Sequence, residues 1–149
     1  MSKKYLSTKN KNLYNKIISF FTKKGNKVKA TKIVNEAFDK VSKETGLSFN
    51  SILSKLFSKL NSFVEVKKIR VRRGFHLVPF PISHKRSTYL IIKWLIQAIK
   101  EDKRKISFAD KLFSEINQTI SSSSSKSLEI KTSNISQVLS NRSNIHFRW

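Results

Sequence analysis

The hydrophobic period changes once along this chain and then changes back. Phe49, Ile52, Leu53, Leu56, Phe57 and Leu60 recur at the i, i+3, i+4 spacing of one helix face, with Ser and Lys on the other. From Val64 to Ile82 the pattern is close to alternation: Val64-Glu65-Val66, Ile69-Arg70-Val71-Arg72, then Phe75-His76-Leu77, with Gly74 between the last two. Alternation sends successive side chains to opposite faces, which is strand geometry. Helical spacing returns at Tyr89. One such interruption predicts helices plus a single β-ribbon, with its tip near Arg72 to Gly74. Phase slips at Lys67-Lys68 and Leu77-Val78 predict bulges or bends. Pro79 and Pro81 need positions where no ladder donor is required, and a two-stranded ribbon, which has only edges, offers them.

Around the ribbon the helices follow from stripes and stops. Leu13, Ile17, Phe20 and Phe21 predict a first helix over about 11–23, ended by Lys24-Gly25-Asn26. Ile33, Val34, Ala37, Phe38 and Val41 give a second over about 28–44, stopped by Gly46, and Ser48 caps the third. The fourth starts at Ser83 or Ser87 and runs to about Lys100. It is apolar round most of its circumference, Trp94 included, as a central helix is. Ser107-Phe-Ala-Asp110 resembles a capping box and opens a fifth, with Phe108, Leu112, Phe113 and Ile116 inward. The Ser run predicts a flexible loop over 121–126. A weaker stripe of Leu128, Ile135, Val138 and Leu139 gives a last helix at about 127–141. The expected fold is mainly α: a single bundle of about six helices with a protruding two-stranded β-hairpin arm between helices 3 and 4. Residues 1–12 read as a flexible basic arm and 13–149 as one helical domain, with the β-arm at about 64–82.

Charge narrows the function. Lys plus Arg is 31 and Asp plus Glu is 9, a formal net charge of +22. Such a chain repels itself and is expected beside a polyanion, nucleic acid first and an anionic membrane surface second. The first 35 residues hold ten Lys and no acid. A transit peptide shares the lack of acids but is Arg-rich, and the first Arg here is Arg70. With no Cys, thiolate metal sites and Cys nucleophiles are excluded. The apolar run Tyr89 to Ile92 falls far short of the roughly 18–20 residues of a membrane span, and the polar Met1 to Lys11 predicts no secretory leader. Three Gly are too few for a Gly-rich phosphate loop. The acids are scattered, and the adjacent Glu101 and Asp102 would not share a helix face. The His residues lack metal-ligand spacing. No catalytic residue, metal, cofactor or small-molecule substrate is expected.

Basic residues instead gather at turns. Between Val66 and Lys100 there is no acid, and Lys67, Lys68, Arg70, Arg72 and Arg73 crowd the ribbon's first strand and tip. A ribbon so charged makes physical sense when phosphates neutralise it, each contact adding a salt-dependent term and each Arg fork gripping phosphate. His84-Lys85-Arg86 precedes the central helix, where a helix N-terminus and two cations favour anions. Lys103-Arg104-Lys105 precedes the fifth, and Lys23, Lys24, Lys27 and Lys29 flank the first turn. Together they predict one broad basic face. The closing His146-Phe147-Arg148-Trp149 either stacks on unpaired bases or pins the C-terminus to the core.

This order of parts resembles the bacterial and organellar family of small-subunit ribosomal protein seven. Val64-Glu65-Val66-Lys67 with Arg70-Val71, then Leu77-Val78-Pro79, is similar to that family's arm. Lys85-Arg86 with Lys93-Trp94-Leu95 resembles its Arg-Arg and Arg-Trp helix. His146-Phe147-Arg148-Trp149 resembles its closing motif, and Gly25-Asn26-Lys27 with Ala30 and Ile33-Val34 its first helix turn. Arg72-Arg73 stands where the family usually carries Gly-Gly. The resemblance implies a structural constituent of the small ribosomal subunit. It would bind the 3′ major domain of small-subunit rRNA and organise the head among neighbouring head proteins, with mRNA and exit-site tRNA near the arm. The implied rRNA-binding residues are Lys23, Lys24, Lys27, Lys67, Lys68, Arg70, Arg72, Arg73, Lys85, Arg86, Arg104 and Arg148. With 11 Phe against 3 Gly, and Lys far above Arg, the composition follows AT-rich codons. It points to the mitochondrial matrix, with a plastid or the bacterial cytoplasm as alternatives. Rival readings are an architectural DNA-binding protein using the basic β-arm, a membrane-surface protein with the Phe49–Leu60 stripe on lipid, and an RNA-modifying enzyme.

Overall fold

Among the described residues, six α-helices and one hairpin occur in the order α1 (Thr8–Phe21), α2 (Lys27–Thr45), α3 (Phe49–Leu60), β1 (Val64–Val71), β2 (Gly74–Pro81), α4 (His84–Glu101), α5 (Phe108–Ser121) and α6 (Lys126–Ser140), closed by a 3-10 helix (Arg142–Phe147). The structure, a computed structural model, describes residues 8–121 and 124–148. The hairpin lies between α3 and α4, as the period change predicts. Since α1 already begins at Thr8, residues 8–12 of the expected flexible arm are helical. Residues 1–7, Ser122, Ser123 and Trp149 lie outside the described residues.

Local chemistry sets the helix ends. Asn26 caps α2 by accepting from Lys29 N–H, and Ser48 caps α3 by accepting from Ser51 N–H. Gly46 ends α2 at φ 66°, a left-handed conformation that Gly adopts without a Cβ penalty. Ser83, not Ser87, caps α4, while the Ser87 hydroxyl donates to Asn61 at 2.6 Å. At α5 the Ser107 hydroxyl accepts from Asp110 N–H and donates to its carboxylate.

Helix α4 lies at the centre and touches α1, α3, α5 and α6. It buries Leu90, Ile91, Ile92, Trp94, Leu95, Ala98 and Ile99. The same core holds Tyr14, Ile17 and Ile18 of α1, Val34, Phe38 and Val41 of α2, and Leu112 and Ile116 of α5, with α2 packed on α5, α1 and α3. The α3 stripe of Ile52, Leu53, Leu56 and Leu60 is fully buried in this core. It is therefore taken up by protein, and the membrane-surface reading loses the face it needed.

The hairpin register is uninterrupted, from Val64 opposite Pro81 to Val71 opposite Gly74. The expected bulges are absent; the phase slips have another cause. Lys67 and Lys68 occupy opposite faces, and each covers a ring from β2: Lys67 over Phe80 at 5.2 Å and Lys68 over Phe75 at 4.5 Å. Likewise Val78 is buried while its neighbour Leu77 faces outward. Ile82 N–H donates to Phe63 C=O at 3.0 Å, so that pair is hydrogen-bonded, and bonded pairs then alternate up to Val71 and Gly74. Pro79 and Pro81 fall on the non-bonded pairs, where the ladder asks for no donor.

Two expectations near the C-terminus need correction. Ser125 is not part of a flexible loop: it is buried and caps α6 by accepting from Leu128 N–H. Around it Thr119, Ser125 and Ser127 share hydroxyl bonds of 3.0–3.2 Å, and Ser127 gives both its N–H (2.8 Å) and its hydroxyl (2.6 Å) to buried Glu115. A serine run looks flexible by composition, yet its last member, Ser125, joins a buried hydroxyl network anchored on the Glu115 carboxylate through Ser127. In α6, Leu128 packs on the core but Ile135 and Leu139 are exposed. The helix is held instead by polar contacts, Lys131 Nζ to Lys59 C=O and Asn134 Nδ2 to Val64 C=O. Replacing Ser127 by Ala removes one of the two donors to Glu115. Urea unfolding should show a loss of about 1–3 kcal/mol at unchanged slope; an unmoved midpoint would show that the network adds nothing to stability.

Candidate nucleic-acid interface

The arm is fixed to the bundle at its base. Glu65 on β1 accepts two bonds from Arg86 at the start of α4, from Nε at 2.9 Å and Nη2 at 2.6 Å. This two-pronged geometry is the strong form of the ion pair. The Glu65 side chain is only 14% exposed against 43% for Arg86. The Arg86 bonds hold the Glu65 carboxyl below its ordinary pKa, against the opposing effect of burial. The guanidinium also lies 4.8 Å from the centre of the Tyr89 ring, which meets Phe20 of α1 edge-on at 5.1 Å.

Both edges of the arm are fastened from the C-terminal side. Val64 and Leu77 sit on non-bonded pairs, so their carbonyls point away from the ribbon. Asn134 of α6 donates to Val64 C=O at 3.1 Å, and Asn144 of the 3-10 helix donates to Leu77 C=O at 3.0 Å. Phe147 stacks on His76 at 4.5 Å and meets His146 at 3.9 Å. Of the two readings of the tail, Phe147 follows the second in a modified form: it pins the C-terminus to the arm rather than to the core.

At the tip the connection is two residues long, Arg72 and Arg73. Arg72 has φ 52° and is the only described residue of the turn with a positive φ. A positive φ at the first central position is the II′ hairpin pattern, which favours Gly there. Gly74, expected in the tip, instead closes the ladder opposite Val71. The strained position is held by a cation.

All twelve sequence-predicted residues are exposed. Lys67, Lys68, Arg70, Arg72 and Arg73 lie along one arm, with Arg148 beside it through the Phe147–His76 stack. The α1–α2 turn with Lys23, Lys24 and Lys27 is brought beside the start of α4, with Lys85, by the Phe20–Tyr89 contact. Phe21 meets Phe108 edge-on at 5.6 Å and places α1 against the start of α5. Two of the twelve are ion-paired within the protein, Arg86 with Glu65 and Arg104 with Asp102 at 2.7–3.0 Å, and Lys67 and Lys68 lie over the Phe80 and Phe75 rings. The side-chain and backbone bonds from Arg104 hold Asp102 down to about 2. Sequence reasoning missed the fastening residues Glu65, Asn134, Asn144 and His76. Glu65 left a signal, being the sole acid between Val64 and Lys100.

Glu65, Asp102 and Asp110 all have pKa values lowered in the folded state, so their contribution is complete above the ordinary carboxyl range and is lost as pH falls through those lowered values. Glu65→Gln should therefore flatten the fall in thermal midpoint as pH drops below the ordinary Glu range; a fall as steep as the parent's would remove Glu65 from the acid response. At the tip, Arg72→Gly should raise stability by about 1 kcal/mol by relieving the left-handed backbone, while weakening RNA binding. Calorimetry and filter binding on one preparation test both halves.

Residues 2–141 match the family described as Ribosomal protein S7p/S5e. The chain is 29% identical over 140 residues to small ribosomal subunit protein uS7 of Pelagibacter ubique, covering 94% of this chain and 88% of that one. It is 29% identical over 140 residues to uS7m of Reclinomonas americana, covering 94% and 87%. To uS7m of Drosophila melanogaster it is 28% identical over 150 residues, covering 90% and 67%. These matches give no support to the architectural DNA-binding reading. With the arm between α3 and α4 and a match spanning almost the whole sequence, the chain belongs to the ribosomal protein S7p/S5e family.

Proposed function

We propose that this protein is a structural constituent of the small ribosomal subunit that binds the 3′ major domain of its rRNA and organises the head. The observation that carries the reading is the arm: five exposed cations on one rigidly based ribbon, in a chain of net charge +22 whose relatives are named small ribosomal subunit proteins. Its role is scaffolding and involves no reaction. Lys23, Lys24, Lys27, Lys67, Lys68, Arg70, Arg72, Arg73, Lys85 and Arg148 meet phosphates. Arg86 and Arg104, already paired with Glu65 and Asp102, hold the arm and the α4–α5 turn in place and offer RNA their outer edges. Such contacts read shape and backbone, because the deep groove of A-form RNA hides the base edges. Neighbouring head proteins share the site, and the arm lies near the exit-site tRNA and the mRNA path. The AT-rich-codon composition and the uS7m relatives support a mitochondrial ribosome; a plastid or bacterial ribosome is the alternative outcome of fractionation.

Sedimentation of organelle or cell extract at moderate salt, with and without ribonuclease, tests the assignment. Co-migration with the small subunit, lost after ribonuclease, is expected. Migration as a free dimer or with DNA would overturn it. For the purified protein on small-subunit rRNA, replacing Arg70, Arg72 and Arg73 by Ala should reduce the slope of log K against log salt by about 2–3. An unchanged slope would take the arm out of the contact set.

A further inference from the structure

The two faces of the arm are unequal. One carries Glu65, which bonds Arg86, together with His76, which stacks on Phe147, and the buried Val78. The other carries Lys68 and Arg70 of β1 with their cross-strand partners Leu77 and Phe75. Both of these pairs are non-bonded, the positions where facing side chains come closest. On this second face Phe75 is 61% exposed and Leu77 42%. The Lys68 ammonium stands 4.5 Å from the centre of the Phe75 ring, and Arg72 and Arg73 follow at the tip. No carboxylate lies on this face or at the tip. The composition is an aromatic ring and an aliphatic side chain about 6.7 Å apart along a strand, bordered by cations.

We infer that this face binds unpaired RNA, with the Phe75 ring stacked on a nucleobase, Leu77 beside the sugar, and Lys68 and Arg70 on flanking phosphates. The inference rests on the reading that the arm meets rRNA, and it specifies the face and the part of the RNA. A duplex offers the ring nothing, since its base faces are already stacked. A protein partner covering Phe75 would have to bring carboxylates to four cations at once. A single strand supplies a flat base and an anionic backbone in one chain, which is how aromatic residues among cations bind it.

Stacking and phosphate contacts separate by salt. Phe75→Ala is expected to weaken binding to an unstructured single-stranded RNA dodecamer about 5- to 150-fold, leaving the salt slope at the parent value. Binding to the same sequence as a blunt duplex should be unchanged, and Phe75→Trp should restore the single-strand affinity. Phe75 is exposed, so the variant should keep the parent circular dichroism and thermal midpoint. Unchanged single-strand affinity in Phe75→Ala would overturn the inference. An equal loss on the duplex would also overturn it, because the ring would then only shape the arm. If the slope falls in the triple Arg variant while Phe75→Ala binds normally, this inference alone fails; if the triple variant keeps its slope, the arm reading itself fails.

Discussion

Thirty-one cations and nine carboxylates share this chain, and repulsion among the cations acts on every contact between its elements. Five of the carboxylates, Glu44, Glu65, Asp102, Asp110 and Glu115, are found where those elements meet. Glu65 joins the arm to α4 through Arg86, and Asp110 joins α5 to α2 through Lys40. Glu44 of α2 accepts from Asn117 of α5 at 2.9 Å, reinforcing the same seam. Asp102 gathers Arg104 by its carboxylate and Lys111 by its carbonyl, closing the α4–α5 turn, and Glu115 holds the start of α6. Exposed ion pairs contribute only about 0–1 kcal/mol each. Their position matters more here than their number, because Glu65–Arg86 and Asp110–Lys40 each tie two elements that would otherwise repel.

This use of acids divides the surface. With these five acids taken up at seams, exposed cations stand on turns, on helix starts and along the arm. The arm itself lacks the apolar area to be stable alone, as two-stranded ribbons generally do. It is held from outside by a fork at its base, an amide at each edge and a ring stacked on one face. The basic face and the rigid arm therefore share one origin in the placement of a few partners.

Much of the fold was legible because it depends on neighbours in sequence. Stripes at helical spacing, Ser48 as a cap, Gly46 as a stop and the return from alternation to helix at α4 are all local signals. What escaped depends on distance. Ser125 is held through Ser127 by Glu115, which precedes Ser127 by a stretch of helix and turn, and no local rule joins them. Ile135 and Leu139 looked like core because α6 has a stripe, but the opposing surface receives Asn134 and Lys131 instead. For the candidate interface, residue type and exposure were readable at all twelve positions. That Arg86 and Arg104 already had partners was not, since Arg86 meets its carboxylate across the length of the hairpin.

The placement of the prolines has a consequence for the protein before it meets any partner. A ribbon with outward Phe75 and Leu77 would ordinarily be open to strand addition by a second chain along its free edge. On β2, the backbone groups that face outward belong to Phe75, Leu77, Pro79 and Pro81. The last two have no N–H to give, and the Leu77 carbonyl is already occupied by Asn144. A third strand would find three of the eight outward positions of these residues unable to pair. The arm can thus keep a sticky face while newly made copies of the chain remain separate.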